Sequence, residues 1–151
     1  MEWRGWKMLS SILLVDDVEV NRKEASLMLK KLGYQTDFAV NGIEAIEALE
    51  HKSYDIVLMD IQMPVMDGLE ATKIIRQRWH QNPKIIIITS LTNCRDACFD
   101  AGADDFLNKP FGIEKLRAAI EYNMSIPSFA SSSLEEFAAT SDRCAMETTP
   151  I

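Results

Sequence analysis

The sequence has few cysteines, no long apolar run and no block of basic residues. Three cysteines among 151 residues are an odd number, which favours reduced thiols over a disulfide framework. The start, MEWRGWKMLSS, lacks the apolar stretch of a signal peptide, and no later run is long enough to span a membrane. The net charge is −7 and basic residues are scattered, which argues against direct binding to nucleic acid. We therefore expect a cytoplasmic protein without membrane insertion.

The length and composition favour one acidic domain with short extensions. A chain of 151 residues suits a single domain, and a hydrophobic content of 47% is enough for a core. Alternating apolar runs occupy residues 11–123, and we expect these residues to form the domain. Residues 1–10 are predicted to be an N-terminal arm. Residues 124–151 are rich in Ser, Thr and Ala without an apolar period, so we predict a flexible C-terminal tail.

Short β-rich runs alternate with amphipathic stretches of helical spacing along the domain. The runs IVLM and IIII are almost continuously apolar, which is typical of strands covered on both faces. Because strands alternate with helices, we predict a five-stranded doubly wound parallel sheet, a (βα)5 flavodoxin-like fold. The predicted strands are residues 11–15, 35–39, 55–59, 84–88 and 104–107. The first predicted helix ends before Gly33, and the other four span residues 42–50, 68–78, 92–101 and 111–123.

Polar residues stand where four of the predicted strands end. They are Asp16 and Asp17 after strand 1, Asp60 after strand 3, Thr89 and Ser90 after strand 4, and Asn108 and Lys109 after strand 5. Each residue alone is explained by a turn, a helix cap or solvation. The carboxyl ends of parallel strands nevertheless meet at one edge of a sheet, where ligands bind in such folds. The set therefore predicts a functional site at this edge.

The chemistry of these side chains points to phosphoryl transfer. Three clustered carboxylates repel one another and call for a hard divalent cation, for which Mg²⁺ suits the oxygen ligands. A carboxylate can act as a nucleophile toward phosphorus, which gives an aspartyl phosphate. Lysine and hydroxyl donors would hold the phosphoryl oxygens, because positioning and charge neutralisation dominate this reaction. We therefore interpret Asp60 as a phosphoryl acceptor.

The segments LLVDD, YDIVLMDIQMPVMDG, IIIITS and GADDFLNKPF occur in this order between residues 11 and 123. In these segments the chain resembles the response-regulator receiver domains of two-component signalling, the CheY-like superfamily. The resemblance implies that Asp60 is the phosphoacceptor. It implies a site for Mg²⁺ or Mn²⁺ in which Asp17 contacts the metal directly, Asp16 contacts it through water, and the backbone carbonyl of Gln62 is a further ligand. It also implies that Lys109 pairs with the phosphoryl group, that Thr89 bonds this group after phosphorylation, and that Phe106 is the aromatic switch residue. It also implies a cis peptide bond before Pro110.

The resemblance further implies partners and a mode of action. The phosphoryl donor would be a sensor histidine kinase or a histidine phosphotransfer protein. A downstream protein would bind the face formed by helix 4, strand 5 and helix 5, and the chain would be a monomer or a phosphorylation-dependent dimer. We expect a stand-alone response regulator that is not an enzyme beyond its own phosphorylation and slow autodephosphorylation.

Two other interpretations and several details remain open at this point. The chain could be a receiver module cut from a hybrid histidine kinase or phosphorelay protein. An aspartyl-nucleophile phosphohydrolase is less favoured, because such enzymes carry a second Asp where this chain has Gln62. The chain departs from the family pattern at two positions: Ser90 stands where the family often has Ala, and Phe106 lacks the hydroxyl of a Tyr switch residue. For Cys94 and Cys98, four residues apart, we favour a packing role over a redox or metal role.

Overall fold

Five parallel strands form one sheet in residues 10–126, the part of the chain that the computed structural model describes. The order across the sheet is β2-β1-β3-β4-β5, with every neighbouring pair parallel. This confirms the predicted doubly wound fold. The strands are β1 (Ser11–Val15), β2 (Gln35–Ala39), β3 (Ile56–Asp60), β4 (Lys84–Thr89) and β5 (Asp105–Asn108). Residues 1–9 of the predicted arm and 127–151 of the predicted tail lie outside the described residues.

Five helices connect and follow the strands. They are α1 (Glu19–Lys31), α2 (Gly42–His51), α3 (Gly68–Trp79), α4 (Arg95–Ala101) and α5 (Ile113–Met124). Within residues 10–126, none of the helices combines the length and apolar character needed to cross a membrane.

The helices cover both faces of the sheet, which explains the unbroken apolar runs in its central strands. Leu13 and Val15 pack on the face covered by α2, α3 and α4, whereas Ile12 and Leu14 pack on the face covered by α1 and α5. All residues of β1, β3 and β4 are buried. Cys98 is buried on the first of these faces, in agreement with a packing role.

Three strands end one residue later than predicted. The backbone pairing continues through Asp60, which lies opposite Ile88, and through Thr89, which lies opposite Asn108. These polar side chains are therefore held by the sheet itself rather than by the loops that follow it. The edge of the sheet is consequently a rigid platform for the predicted site.

The predicted starts of two helices are wrong. Helix α4 begins at Arg95 rather than residue 92, because Asn93 has a left-handed backbone with φ of 58° that interrupts a right-handed helix. Helix α5 begins at Ile113 rather than residue 111, because Gly112 is extended with ψ of 176°. Gly33 follows α1 with φ of 90°, which confirms the predicted helix end.

Candidate functional site

Asp60 is one of two buried carboxylates at this edge of the sheet, the other being Asp16. It lies at the end of β3, where the backbone N–H of Ile61 donates to its Oδ1 atom over 3.0 Å. The ammonium group of Lys109 is 3.5 Å from the same oxygen. Burial raises the pKa of Asp60 to about 6, opposed by the charge of Lys109 and reinforced by that of Asp16. The side chain is thus a partly desolvated carboxylate beside one cation.

The three predicted carboxylates converge as expected. One carboxylate oxygen from each of Asp16, Asp17 and Asp60 lies within 4.8 Å of the other two. Asp16 and Asp60 are buried, whereas Asp17 is exposed. Lys109 also lies 3.3 Å from Oδ2 of Asp16, so it faces two of the three acids at once. A single lysine against three carboxylates leaves excess negative charge on oxygen ligands, which fits a hard divalent cation.

Asp16 is fixed by bonds that the sequence analysis did not identify. Its Oδ1 atom accepts from the backbone N–H of Val18 over 2.9 Å, which closes a tight turn at the start of α1. Its carbonyl accepts from the guanidinium of Arg22 over 2.8 Å. The side chain of Arg22 therefore ties the first turns of α1 to the acidic cluster. In the sequence Arg22 looks like any polar residue on an amphipathic helix, so no signal marked it.

The Asp-Gly pair after Met-Pro serves the geometry around Asp60. The backbone N–H of Gly68 donates to the carbonyl of Ile61 over 2.8 Å, and a Cβ atom at Gly68 would lie 2.0 Å from the carbonyl oxygen of Asp60. Only glycine permits this approach. Oδ1 of Asp67 accepts from the backbone N–H of Glu70 over 2.8 Å and caps α3. The loop is thereby folded tightly back onto the end of β3.

Thr89 and Lys109 are joined through the backbone. The N–H of Lys109 donates to the carbonyl of Thr89 over 2.8 Å, and the peptide bond between Lys109 and Pro110 is cis, as predicted. The buried hydroxyl of Thr89 accepts from the N–H of Leu91 over 3.0 Å. The carbonyl of Leu91 in turn accepts from the side-chain amide of Asn108 over 3.2 Å. The hydroxyl of Thr89 thus belongs to the network that shapes the loop between β4 and α4.

Gln62 and Phe106 are the two remaining predicted site residues, and neither adds a charged side chain to the acidic cluster. Gln62 lies two residues beyond the end of β3, with an exposed side chain. Phe106 pairs with Ile87 in the sheet, and its half-buried side chain packs against the core on the α4 side. The structure therefore brings together Asp16, Asp17, Asp60 and Lys109, with Thr89 adjacent to Lys109.

A cavity of about 180 Å³ borders the cluster between α1 and the segment that follows β5. Asp16 and Lys109 line it on the polar side, and Ala25, Met28 and Phe111 contribute apolar walls. Two charged groups of the site, those of Asp16 and Lys109, therefore border a partly apolar groove.

The sequence also matches a known family. The family model for the response regulator receiver domain matches residues 12–121. Hybrid signal transduction histidine kinase K of Dictyostelium discoideum is 38% identical over 120 residues, which covers 73% of this chain and 10% of the kinase. Histidine kinase 5 of Arabidopsis thaliana is 37% identical over 139 residues, which covers 73% of this chain and 15% of the kinase. The chain therefore spans only a small part of the length of these relatives.

Solved structures show the same likeness. The receiver domain of a sensor histidine kinase from Pseudomonas aeruginosa has a TM-score of 0.72 at 36% identity, covering 78% of this chain and 98% of that one. Its crystal structure has a magnesium ion coordinated in the active site cleft. Response regulator protein TrrA from Thermotoga maritima, in complex with Mg²⁺ and BeF, has a TM-score of 0.72 at 32% identity, covering 76% of this chain and 99% of that one.

Proposed function

The chain belongs to the response regulator receiver domain family, and from this premise we propose that it accepts a phosphoryl group on Asp60 and signals through the resulting change of conformation. The observation that carries the proposal is the placement of Asp60 at a rigid strand end, 3.5 Å from Lys109 and beside two further carboxylates. A pKa of about 6 leaves Asp60 mostly ionised at neutral pH, in the form that attacks phosphorus.

The reaction we propose is transfer from a phosphohistidine. An Oδ atom of Asp60 forms the new bond to phosphorus while the bond from phosphorus to the histidine nitrogen breaks, and the electron pair stays on the imidazole. Lys109 pairs with the phosphoryl oxygens, and the Thr89 hydroxyl donates to one of them in the product. The donor is a sensor histidine kinase or a histidine phosphotransfer protein, in keeping with the histidine kinases among the relatives.

The acidic cluster fits a divalent cation, Mg²⁺ or Mn²⁺. Asp16, Asp17, Asp60 and the backbone carbonyl of Gln62 would hold it. The cation, when bound, neutralises charge on the phosphoryl oxygens. The fit rests on the oxygen donors themselves, because three carboxylates lie close together against one nearby lysine.

The output step we propose couples Thr89 to Phe106. When the Thr89 hydroxyl turns toward a phosphoryl oxygen, it leaves the N–H of Leu91 and vacates space beside β5. The ring of Phe106 then moves inward. Because the ring is already half-buried, full burial stabilises the new state by roughly 1–1.5 kcal/mol, about half of the value for a fully exposed ring. The surface that changes is formed by α4, β5 and α5, where a downstream protein would bind.

Labelled phosphoryl transfer tests the acceptor. A phosphorylated histidine phosphotransfer protein should label the wild type and fail to label Asp60→Asn, which keeps the shape of the side chain without a nucleophilic carboxylate. Asp67→Asn is the matched control, because the same change nearby retains the cap of α3. Equal labelling of Asp60→Asn and wild type would refute the proposal.

The relatives favour a second form of the same function. Because the chain covers 10% and 15% of two histidine kinases, it also fits a receiver module that passes its phosphoryl group along a phosphorelay. In a relay, phosphorylated Asp60 returns the group to a phosphotransfer histidine within the assay. A stand-alone cytoplasmic regulator instead keeps it, loses it only by slow autodephosphorylation, and binds a target through the α4–β5–α5 surface. Removing the labelled donor and then adding unphosphorylated histidine phosphotransfer protein separates the two forms, because the label moves to histidine in a relay and stays on Asp60 in a stand-alone regulator.

A further inference from the structure

The ring of Phe106 contacts two side chains of α4, Arg95 and Phe99. We call these three residues the α4 aromatic cluster. The rings of Phe99 and Phe106 meet edge to face, with centroids 6.1 Å apart and planes at 84°. The guanidinium carbon of Arg95 is 5.6 Å from the centroid of Phe99 and 6.0 Å from that of Phe106. One cation therefore faces both rings.

The cluster sits on the outer side of α4. Arg95 and Phe99 are exposed and stand four residues apart, so they share one face of the helix. An edge-to-face pair and a cation over an aromatic face are both attractive because of the ring quadrupole. Phe106 has no hydroxyl that could bond to solvent, and these two contacts hold its ring against α4 instead.

We propose that Arg95 is a positioning residue for the switch, which holds Phe106 against α4 in the resting protein and thereby sets how readily the phosphorylated state forms. The proposal rests on the function proposed above, and it assigns to Arg95 a regulatory role within that function. Removing the guanidinium releases the ring and shifts the resting protein toward the inward position of Phe106.

The loop before α4 connects Arg95 to Thr89. Arg95 is the first residue of α4, and Leu91, four residues earlier, donates its N–H to the Thr89 hydroxyl. A cavity of about 280 Å³ lies between this loop and β5, bordered by Leu91, Arg95 and Phe106 among others. A ring released by Arg95 thus has space next to it, on the side of the residue that responds to phosphorylation.

A direct electrostatic effect is the competing explanation. Lys109 and Ser90 line the same cavity as Arg95, so the guanidinium charge also lies toward the phosphorylation site. Such an effect would act on the phosphoryl oxygens and would not require an aromatic ring at position 106. A double-mutant cycle between Arg95 and Phe106 therefore separates the two explanations.

The cycle uses Arg95→Gln, Phe106→Leu and the double variant. Glutamine retains part of the aliphatic stem and the helix propensity of arginine without the charge. The first measurement is the NMR spectrum of the aromatic rings in the resting protein, without metal or phosphoryl mimic. The second is the apparent affinity for beryllofluoride, an acyl-phosphate mimic, with Mg²⁺. Arg78→Gln is the matched control, because Arg78 also stacks on a ring, that of Trp79 at 4.6 Å, but on α3.

We expect Arg95→Gln to shift the Phe106 ring signals and to tighten beryllofluoride binding about 2- to 5-fold, the range for an exposed cation–π contact. In the Phe106→Leu background the same change should have less than about a 1.5-fold effect, because the coupled ring is gone. Arg78→Gln should leave both measurements unchanged.

Unshifted Phe106 signals in Arg95→Gln would overturn the role of Arg95, and so would an equal effect of Arg95→Gln with and without the ring. A wild type that fails to bind beryllofluoride overturns the proposed function together with the switch role of Arg95. Binding without the ring response overturns the role of Arg95 alone.

Discussion

Gly68 packs directly against the backbone of Asp60, the residue on which the proposed function depends. A Cβ atom at Gly68 would lie 2.0 Å from the carbonyl oxygen of Asp60 and 2.9 Å from its carbonyl carbon. Such a distance cannot be relieved by a side-chain movement, because the crowded atoms belong to the strand. The start of α3 and the end of β3 can therefore pack this closely only because residue 68 has no side chain.

Gly68→Ala should consequently destabilise the domain by about 1–3 kcal/mol, as expected for overpacking against a rigid element. Urea denaturation measures the loss. Gly112→Ala is the control, since a Cβ there meets nothing within 4 Å, and it should cost less than about 1 kcal/mol. Equal stability of Gly68→Ala and wild type would show that β3 and α3 separate more easily than this contact implies.

Asp60→Asn should stabilise the metal-free protein at neutral pH. Because burial raises the pKa of Asp60 to about 6, the folded state binds more protons than the unfolded state, whose carboxyl has a pKa of about 3.9. The contribution of this carboxyl group to stability therefore falls as pH rises from about 4 through 6. The full shift corresponds to about 3 kcal/mol, and solvent screening of this partly solvated group reduces it. The gain in Asp60→Asn should therefore be on the order of 2 kcal/mol at pH 7 and disappear near pH 4. Thermal melts in EDTA across this range measure it, and a gain that is independent of pH would contradict the assignment.

Tyr54→Phe should have the opposite pH dependence. The Tyr54 hydroxyl donates to Oδ2 of Asp37 over 2.6 Å, and Lys52 lies 2.9 Å from the same oxygen. The Tyr54 bond, then that from Lys52, lowers the pKa of Asp37. The interaction thus stabilises the fold above about pH 4, the unfolded pKa, and is lost as pH falls through the lower folded value. Tyr54→Phe should cost about 1 kcal/mol at pH 7 and less in acid, as urea titrations at several pH values would show.

Asp17→Asn should weaken Mg²⁺ binding at least about tenfold, because it removes one charged oxygen ligand from the cluster of three. Isothermal titration calorimetry measures the affinity. Asp67→Asn, which changes the same residue type outside the cluster, should bind Mg²⁺ like the wild type. If the two variants bind Mg²⁺ equally well, the cluster is not the metal site.

The sheet and the convergence of the acidic residues were both predictable from the continuous apolar runs in the sequence. The runs IVLM and IIII are apolar throughout because helices cover both faces of β3 and β4. Once these strands are parallel, their carboxyl ends share an edge, so Asp16, Asp60 and Lys109 had to approach one another. Periodicity and topology together were sufficient for this part of the structure.

Contacts between side chains and backbone in different elements were not predictable in the same way. The late start of α4 follows from the left-handed Asn93 and from the bonds of Leu91 to Thr89 and Asn108. The cation over Phe106 comes from Arg95, 11 positions earlier in the chain. Propensity and periodicity describe neighbours along one element, and these contacts depend on how two elements meet.

Phosphorylation by a small phosphodonor in the presence of Mg²⁺, followed by mass determination of the modified peptide, tests the central claim most directly. We predict a mass increase of one phosphoryl group on the peptide that contains Asp60. The increase should be absent when Mg²⁺ is chelated before the phosphodonor is added, and absent in Asp60→Asn. A modified Ser or Thr, or undiminished labelling of Asp60→Asn, would contradict the assignment of Asp60 as the phosphoacceptor.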